Sequence, residues 1–401
     1  MLRCTNHFFK RPLCRFSKLQ HNNRTAPNTL SNFSIKQQII TKIKVRGPIT
    51  FAEYMKDVLL NPQGGYYMHR DVFGDKGDFI TSPELSQMFG ELLAVWFINE
   101  WSKAGSPKPL QIVELGPGRG TLCYDMLRVM SRFNLLDKTS VHLVEVSPHL
   151  TKLQADLLCS NGAASFGVPI SWHKHLKDVP DQFAFYLAHE FFDALPIHQF
   201  KKTEHGYREI LIDVDPVQES KLRFVLSPTE TAVGKFFLST DESREFVEVC
   251  PEGLTLAEGL AKRIESYGGL GLIVDYGHEG QGRDTFRAFK NHKLHDPLIE
   301  PGTADLTADV DFEAMKKVMC GTNEVLVYGP VSQRTFLMNM GIECRLENLR
   351  KNAKPEQIES LDYSYGMLVD PDKMGDRFKF LAVVPSTLSV ILNKYPICGF
   401  S

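Results

Sequence analysis

The apolar run "LQIVEL" at 110–115 stops at three glycines on alternate positions, "GPGRG" at 116–120, and "TLCYDMLRVMSRF" follows with helical spacing. A buried strand, a turn that only glycines accept, and a helix make up the first half of a β-α-β unit. "SVHLVEV" at 140–146 reads as the next strand, with Ser147-Pro148 capping the helix after it. "QFAFYLAHEFF" at 182–192 reads as a third strand. "GLGLIVDYG" at 269–277 reads as a fourth, preceded by the helix "LTLAEGLAKRIESY". "EVLVYG" and "KFLAVVP" are later strand candidates. Strands alternating with helices predict an α/β fold with a doubly wound, mostly parallel sheet.

Two regions depart from that rhythm. "YREILIDV" and "LRFVLS" have no helix between them, so residues 198–250 read as an antiparallel β insertion. Before the core, "GPITFAEYMKDVLL" reads as a short helix and 73–84 as a Gly- and Asp-rich loop. Thr81 and Glu84 fit a capping box opening a helix through 85–101, whose Phe89, Trp96 and Phe97 belong to a buried face.

Charge is unevenly placed. Residues 1–46 hold ten Lys or Arg and no Asp or Glu, while the chain has a formal net charge of −2. Acid-free basic N-termini of this kind are typical of mitochondrial transit peptides; the alternative is a disordered basic arm. The remainder is acidic, which argues against a polyanionic partner such as nucleic acid. No apolar run is long enough to span a bilayer. The eight cysteines form no C-x-x-C pair, so a disulfide framework or zinc ribbon is not expected.

Which ligand does the glycine turn take? A P-loop needs Lys and then Ser or Thr after its last glycine, and Thr121 follows Gly120 directly. A dinucleotide turn needs a different spacing of its third glycine. Glu114, two residues before Gly116, would also oppose a pyrophosphate at the helix N-terminus. It would not oppose S-adenosylmethionine, which carries an ammonium and a sulfonium. Glu145 closes the second strand, 25 residues after Gly120, where an acid can accept both hydroxyls of a ribose. Glu114, Gly116, Gly118, Gly120 and Glu145 are therefore the expected cofactor residues of a class I methyltransferase. The bland alternative makes Glu114 a turn cap and Glu145 a solvated strand end.

"VELGPGRGTL", "HLVEVSP", "HEFFDALPIHQF", "PGTADLTADVDF" and "KMGDRFKFLAVVP" together resemble the MidA-like family of mitochondrial complex I assembly-factor protein arginine methyltransferases. The resemblance covers about residues 47 to 385. It implies a matrix enzyme that uses S-adenosylmethionine to dimethylate symmetrically an arginine of a complex I core subunit. The expected organisation is a leader at 1–46, a methyltransferase domain at 47–385 and a tail at 386–401.

An arginine substrate stays charged, so carboxylates that orient its planar fork are the first requirement. Glu190 and Asp193, at the end of the third strand in "AHEFFDALP", are the expected clamp, with His189 or His198 as proton acceptors. The alternative is a cap and a turn-forming Asp. Asp275 and His278, ending the fourth strand, are a second candidate pair for substrate contact, or a satisfied turn. His292, His295, Asp296, Asp305, Asp309 and Asp311 match no standard metal spacing, and no metal is expected. That segment reads as a loop folding over the site. A non-catalytic assembly chaperone is the competing function, and a small-molecule methyltransferase a third.

Overall fold

The computed structural model describes residues 34–69, 71–72, 80–160, 166–321 and 324–400. Most of the basic leader and residues 73–79 of the Gly- and Asp-rich loop lie outside them.

Seven strands form the main sheet: β1 (Leu110–Leu115), β2 (Thr139–Val144), β3 (Ile170–His173), β4 (Ala184–His189), β5 (Gly269–His278), β6 (Val325–Ser332) and β7 (Phe378–Pro385). Their spatial order is β3-β2-β1-β4-β5-β7-β6, and a two-residue strand, Val310–Asp311, adds to the end of β5. The first five are mutually parallel. β7 runs antiparallel to both of its neighbours. Order reverses between β1 and β4, and a doubly wound sheet opens a crevice at the carboxyl ends of such strands.

The strands read as unbroken apolar runs because helices cover both faces. Ile112, Phe185, Leu187, Leu272 and Val274 point into one core, whereas Val113, Leu115, Tyr186, Ala188 and Ile273 point into the other. The first core takes helices Gln87–Lys103 and Thr121–Arg132, with Phe97 stacked on Phe185 at 4.8 Å between centroids. The second takes Pro251–Tyr267 and Phe312–Cys320.

A second, antiparallel sheet joins the strands Ile49–Thr50, Gly206–Val214, His198–Thr203 and Phe246–Val249, and Leu222–Leu226 pairs with Gly206–Val214. A three-stranded sheet of Lys293–His295, Arg287–Lys290 and Asp305–Thr307 follows β5. It carries Arg287, Phe289 and Asp305 to the crevice; the segment read as a loop over the site is partly strand, and of the residues singled out in it only Asp305 lines the cavity.

Three boundaries need correction. The last part of the expected leader is structured: Ile35–Arg46 is a helix capped by Ser34 and Gln37, with Ile35, Ile39 and Ile43 buried at i, i+4 spacing. The 386–401 tail is part of the fold: Leu392 and Ile397 are buried, and Trp96 donates to the carbonyl of Cys398 at 2.9 Å. The helix at 85–101 is broken at Ser86, whose extended backbone ends Ser82–Leu85 and whose Oγ caps Gln87–Lys103. Thr81 makes no side-chain cap. Glu84 turns instead to Arg119, at 3.1 Å, and to the Thr121 hydroxyl.

Candidate active site

A cavity of about 1320 Å³ occupies the crevice at the carboxyl ends of β1, β2, β4 and β5. One half is built from the glycine turn. Gly116, Gly118 and Gly120 all lie in the left-handed region, at φ +62°, +54° and +88°. At Gly116 a Cβ would come within 2.7 Å of the Phe191 ring. Backbone geometry disfavours a side chain at all three, and at Gly116 space excludes one as well, which leaves main-chain atoms to meet a ligand.

Glu114 and Glu145 flank that turn and line the cavity. Glu114 is 3% exposed, its Oε2 has no hydrogen-bond partner, and burial pushes its pKa up to about 8. A cationic donor would supply the missing partner and restore its charge. Glu145 is held rather than solvated. Its Oε1 accepts from the Ser147 amide at 2.8 Å and its Oε2 from Gln154 at 3.1 Å. The same Gln154 amide donates to the Gly118 carbonyl at 2.7 Å, which ties the acid to the glycine turn. Left-handed glycines, an orphaned buried carboxyl and a braced acid on the next strand fit S-adenosylmethionine.

The other half is acidic. β4 ends at His189, and Glu190 takes the unusual φ of +47° for a residue with a side chain. Asp275 holds that turn in place. Its Oδ2 accepts the backbone amides of Phe191, Phe192 and Asp193 at 3.0–3.3 Å, and its Oδ1 that of Tyr276 at 3.0 Å. Glu190 and Asp193 line the cavity, and each keeps one carboxylate oxygen, Oε1 and Oδ1, without a hydrogen-bond partner, the first lying 3.5 Å from His189 Nε2. Burial raises the Glu190 pKa, with Asp193 and Asp305 adding to the shift. Burial also raises Asp193, opposed by hydrogen bonds from the Tyr276 and Thr307 hydroxyls.

The structure divides the expected substrate residues. Glu190 and Asp193 meet in the cavity. Asp275 does not face it, because its carboxylate is consumed by main-chain amides; it positions the clamp and is not half of a second one. His278 also lies off the cavity, beside Asp309, Asp311 and Glu313. His198 is paired with Glu209 at 2.6 Å and lies outside as well. His189 lines the cavity, but burial lowers its pKa to about 3, which makes it a poor proton acceptor.

Three residues complete the acidic half without having been singled out for it. Asp305 arrives on the small sheet and accepts from the Tyr67 hydroxyl at 2.7 Å. Tyr67 in turn accepts, on its carbonyl, the Ser147 hydroxyl at 2.6 Å, so it braces the acidic half against the Glu145 corner. Arg287 stacks 5.1 Å from the Tyr276 ring and pairs with Asp309 at 2.6 Å. The available signal was faint: an aspartate in "PGTADLT" and a tyrosine in "GGYY", with nothing in the sequence to mark Arg287.

Residues 92–331 match the model of a family of S-adenosyl-L-methionine-dependent methyltransferases, and the chain belongs to that family. It is an S-adenosylmethionine-dependent methyltransferase, and S-adenosylmethionine is its cofactor. Within this class it is a member of the NDUFAF7 family. It is 50% identical over 97% of its length to protein arginine methyltransferase NDUFAF7, mitochondrial, of Xenopus tropicalis, covering 94% of that protein. It is 50% identical over 87% of its length to the Homo sapiens protein of the same name, covering 83% of it. The fold is shared with a crystal structure from Burkholderia thailandensis bound to S-adenosyl-homocysteine. That match has a TM-score of 0.74 and 24% identity, covering 87% of this chain and 91% of the other.

Proposed function

We propose that the enzyme methylates a protein arginine, symmetrically, on a core subunit of mitochondrial complex I, and that it works in the matrix. The carrying observation is the pair of unpartnered carboxylate oxygens, Glu190 Oε1 and Asp193 Oδ1, buried on one wall of a cavity whose other wall fits the cofactor. A guanidinium supplies five N–H donors in a rigid fork and keeps its charge when buried, which answers both oxygens at once. A neutral small-molecule acceptor with a single donor would leave one of them unanswered, at a cost of about 1–3 kcal/mol, and would not balance the charge.

Bound S-adenosylmethionine supplies an electrophilic methyl group. The protein's part is alignment and proton management. Glu114 takes the cofactor's ammonium, Glu145 its ribose hydroxyls, and the glycine turn gives close main-chain approach. Glu190 and Asp193 hold the guanidinium with one nitrogen toward the methyl position, and Asp275 and Tyr67 keep those acids in register. The arginine enters as a cation, so the methylated nitrogen must shed a proton. Glu190, whose pKa burial raises, is a better acceptor than His189. Relatives named mitochondrial support the compartment, as does the basic stretch that precedes Ser34.

The test is direct. The protein is incubated with labelled S-adenosylmethionine and a mitochondrial extract lacking it, and the labelled polypeptide and residue are identified by mass spectrometry. Symmetric dimethylarginine in a complex I core subunit is the expected result. Label confined to lysine or to a small molecule would overturn the proposal.

A further inference from the structure

The floor of the cavity is acidic, yet its mouth is not. Lys174, Lys177, Lys373 and Arg377 are exposed on the rim. Two exposed acids share it, Asp372 and Glu252; Glu252 is already paired with Lys56 at 2.8 Å and Lys373 lies 3.9 Å from Asp370, which leaves Lys174, Lys177 and Arg377 against Asp372. A cationic side chain approaching alone meets this excess of positive charge before it reaches Glu190 and Asp193.

Arg377 is linked to those acids through Tyr276. Its guanidinium lies 5.5 Å from the Tyr276 ring centroid, and the hydroxyl of the same ring donates to Asp193. Arg287, the other guanidinium on that ring, is engaged: it donates to Asp309 at 2.6 Å and to the Thr285 carbonyl at 2.8 Å. Arg377 makes no hydrogen bond or ion pair among the described residues. A guanidinium resting on an aromatic ring keeps its edge donors free and its orientation fixed, the arrangement that suits bidentate capture of a carboxylate.

Resting on the arginine reading above, we infer that the substrate carries an acidic side chain close in sequence to its target arginine, and that Arg377 reads it. The target guanidinium would descend to Glu190 and Asp193 while the neighbouring carboxylate stays at the mouth on Arg377, about one tyrosine ring away. The acid cancels the repulsion of the rim and sets which way the peptide lies across it. Arg377 is thus a specificity residue, outside the reacting atoms.

The test uses the full chain, S-adenosylmethionine and synthetic peptides with a single arginine and Glu, Gln or Lys within three positions of it. For wild type the Glu peptide should have the lowest KM, about fivefold below the Gln peptide, as one exposed ion pair allows, with kcat nearly constant. Arg377→Gln should erase the preference, Arg377→Lys should keep part of it, and Arg377→Glu should reverse it in favour of the Lys peptide. The preference should also shrink at high salt. Equal KM values for the three peptides with wild type, or an unchanged order with Arg377→Glu, would overturn this inference and leave the arginine reading standing. Wild-type enzyme that binds and methylates none of the peptides would remove the arginine reading, and this one with it.

Discussion

The cofactor half of the cavity comes from two neighbouring strand ends, Glu114–Gly120 and Glu145, and its shape is a backbone shape. The acidic half draws on Tyr67, Glu190, Asp193, Tyr276 and Asp305, and the hydrogen bond that closes it spans 238 positions of sequence. The first half is made by what is missing: glycines without side chains, at φ values that others avoid. The second is made by what is present: carboxylates whose burial is paid for by tyrosine hydroxyls and main-chain amides. Steric changes should therefore break the first half, and isosteric changes of charge the second.

The largest effect is expected at Gly118. At φ +54° a β-branched residue is strained, by roughly 1–2 kcal/mol from backbone handedness alone, and its side chain fills the cofactor's space. Gly118→Val should weaken S-adenosylmethionine binding by about 100-fold or more while circular dichroism shows a folded chain. A folded variant with wild-type affinity by calorimetry would contradict the cradle.

Next comes the double variant Glu190→Gln with Asp193→Asn. Volume is conserved and charge is lost, so cofactor affinity should stay within about twofold of wild type. Methyl transfer should fall by about 100-fold or more, the scale of losing alignment at a reacting centre. Cells in which this variant is shown to be methylation-dead yet complex I still assembles would point to chaperoning as the essential role.

Glu114 gives a pH dependence without any ligand. Its folded pKa of about 8 lies above the ordinary 4.5, so the folded chain holds a proton that the unfolded chain has released between those values. Its contribution to stability is full below about pH 4.5 and is lost as pH rises through about 8, an effect of a few kcal/mol by linkage. Melting temperature of the cofactor-free protein should fall across that window, and Glu114→Gln should flatten the fall. Identical profiles for the two proteins would show that Glu114 stays ionised.

Glu145→Gln keeps the volume but removes the charge and one of the two acceptors that Ser147 and Gln154 use, and cofactor binding should weaken by roughly 1–3 kcal/mol. NADH should bind neither form, and tight NADH binding by wild type would revive a dinucleotide site. The smallest effect is expected at the strut between the two halves. Tyr67→Phe loses one hydrogen bond to Asp305, worth about 1 kcal/mol, so kcat/KM should drop about fivefold with cofactor affinity unchanged. A comparable loss of cofactor affinity would place Tyr67 in the other half.

Much of this was legible in the residues. Four of the five parallel strands, the glycine turn and the acid after β2 are each local patterns, and local pattern is enough to find them; the edge strand Ile170–His173, short and only half-buried, carries no such pattern. The break at Ser86 was not legible, because Thr81 and Pro83 do open a helix, Ser82–Leu85, which stops after one turn while Glu84 is drawn to Arg119 and Thr121 from another element. Nor was Ile35–Arg46 separable from the basic stretch before it. Its charges face outward and conceal three isoleucines that matter only once the antiparallel sheet is there to receive them.

The same limit separates Asp275 from Asp193. Both follow apolar strands, and both looked like substrate acids. Only the packing of the 190–193 turn over the end of β5 turns the first toward main-chain amides and leaves the second with an oxygen free in the cavity. By itself the sequence determined most of the parallel sheet, the cofactor class and the left-handed glycine turn, since periodicity and backbone handedness are local properties. Tertiary structure alone decided that Asp305 and Tyr67 join the acids while His198 and His278 do not. Which carboxyl loses its partners on burial depends on neighbours hundreds of residues away.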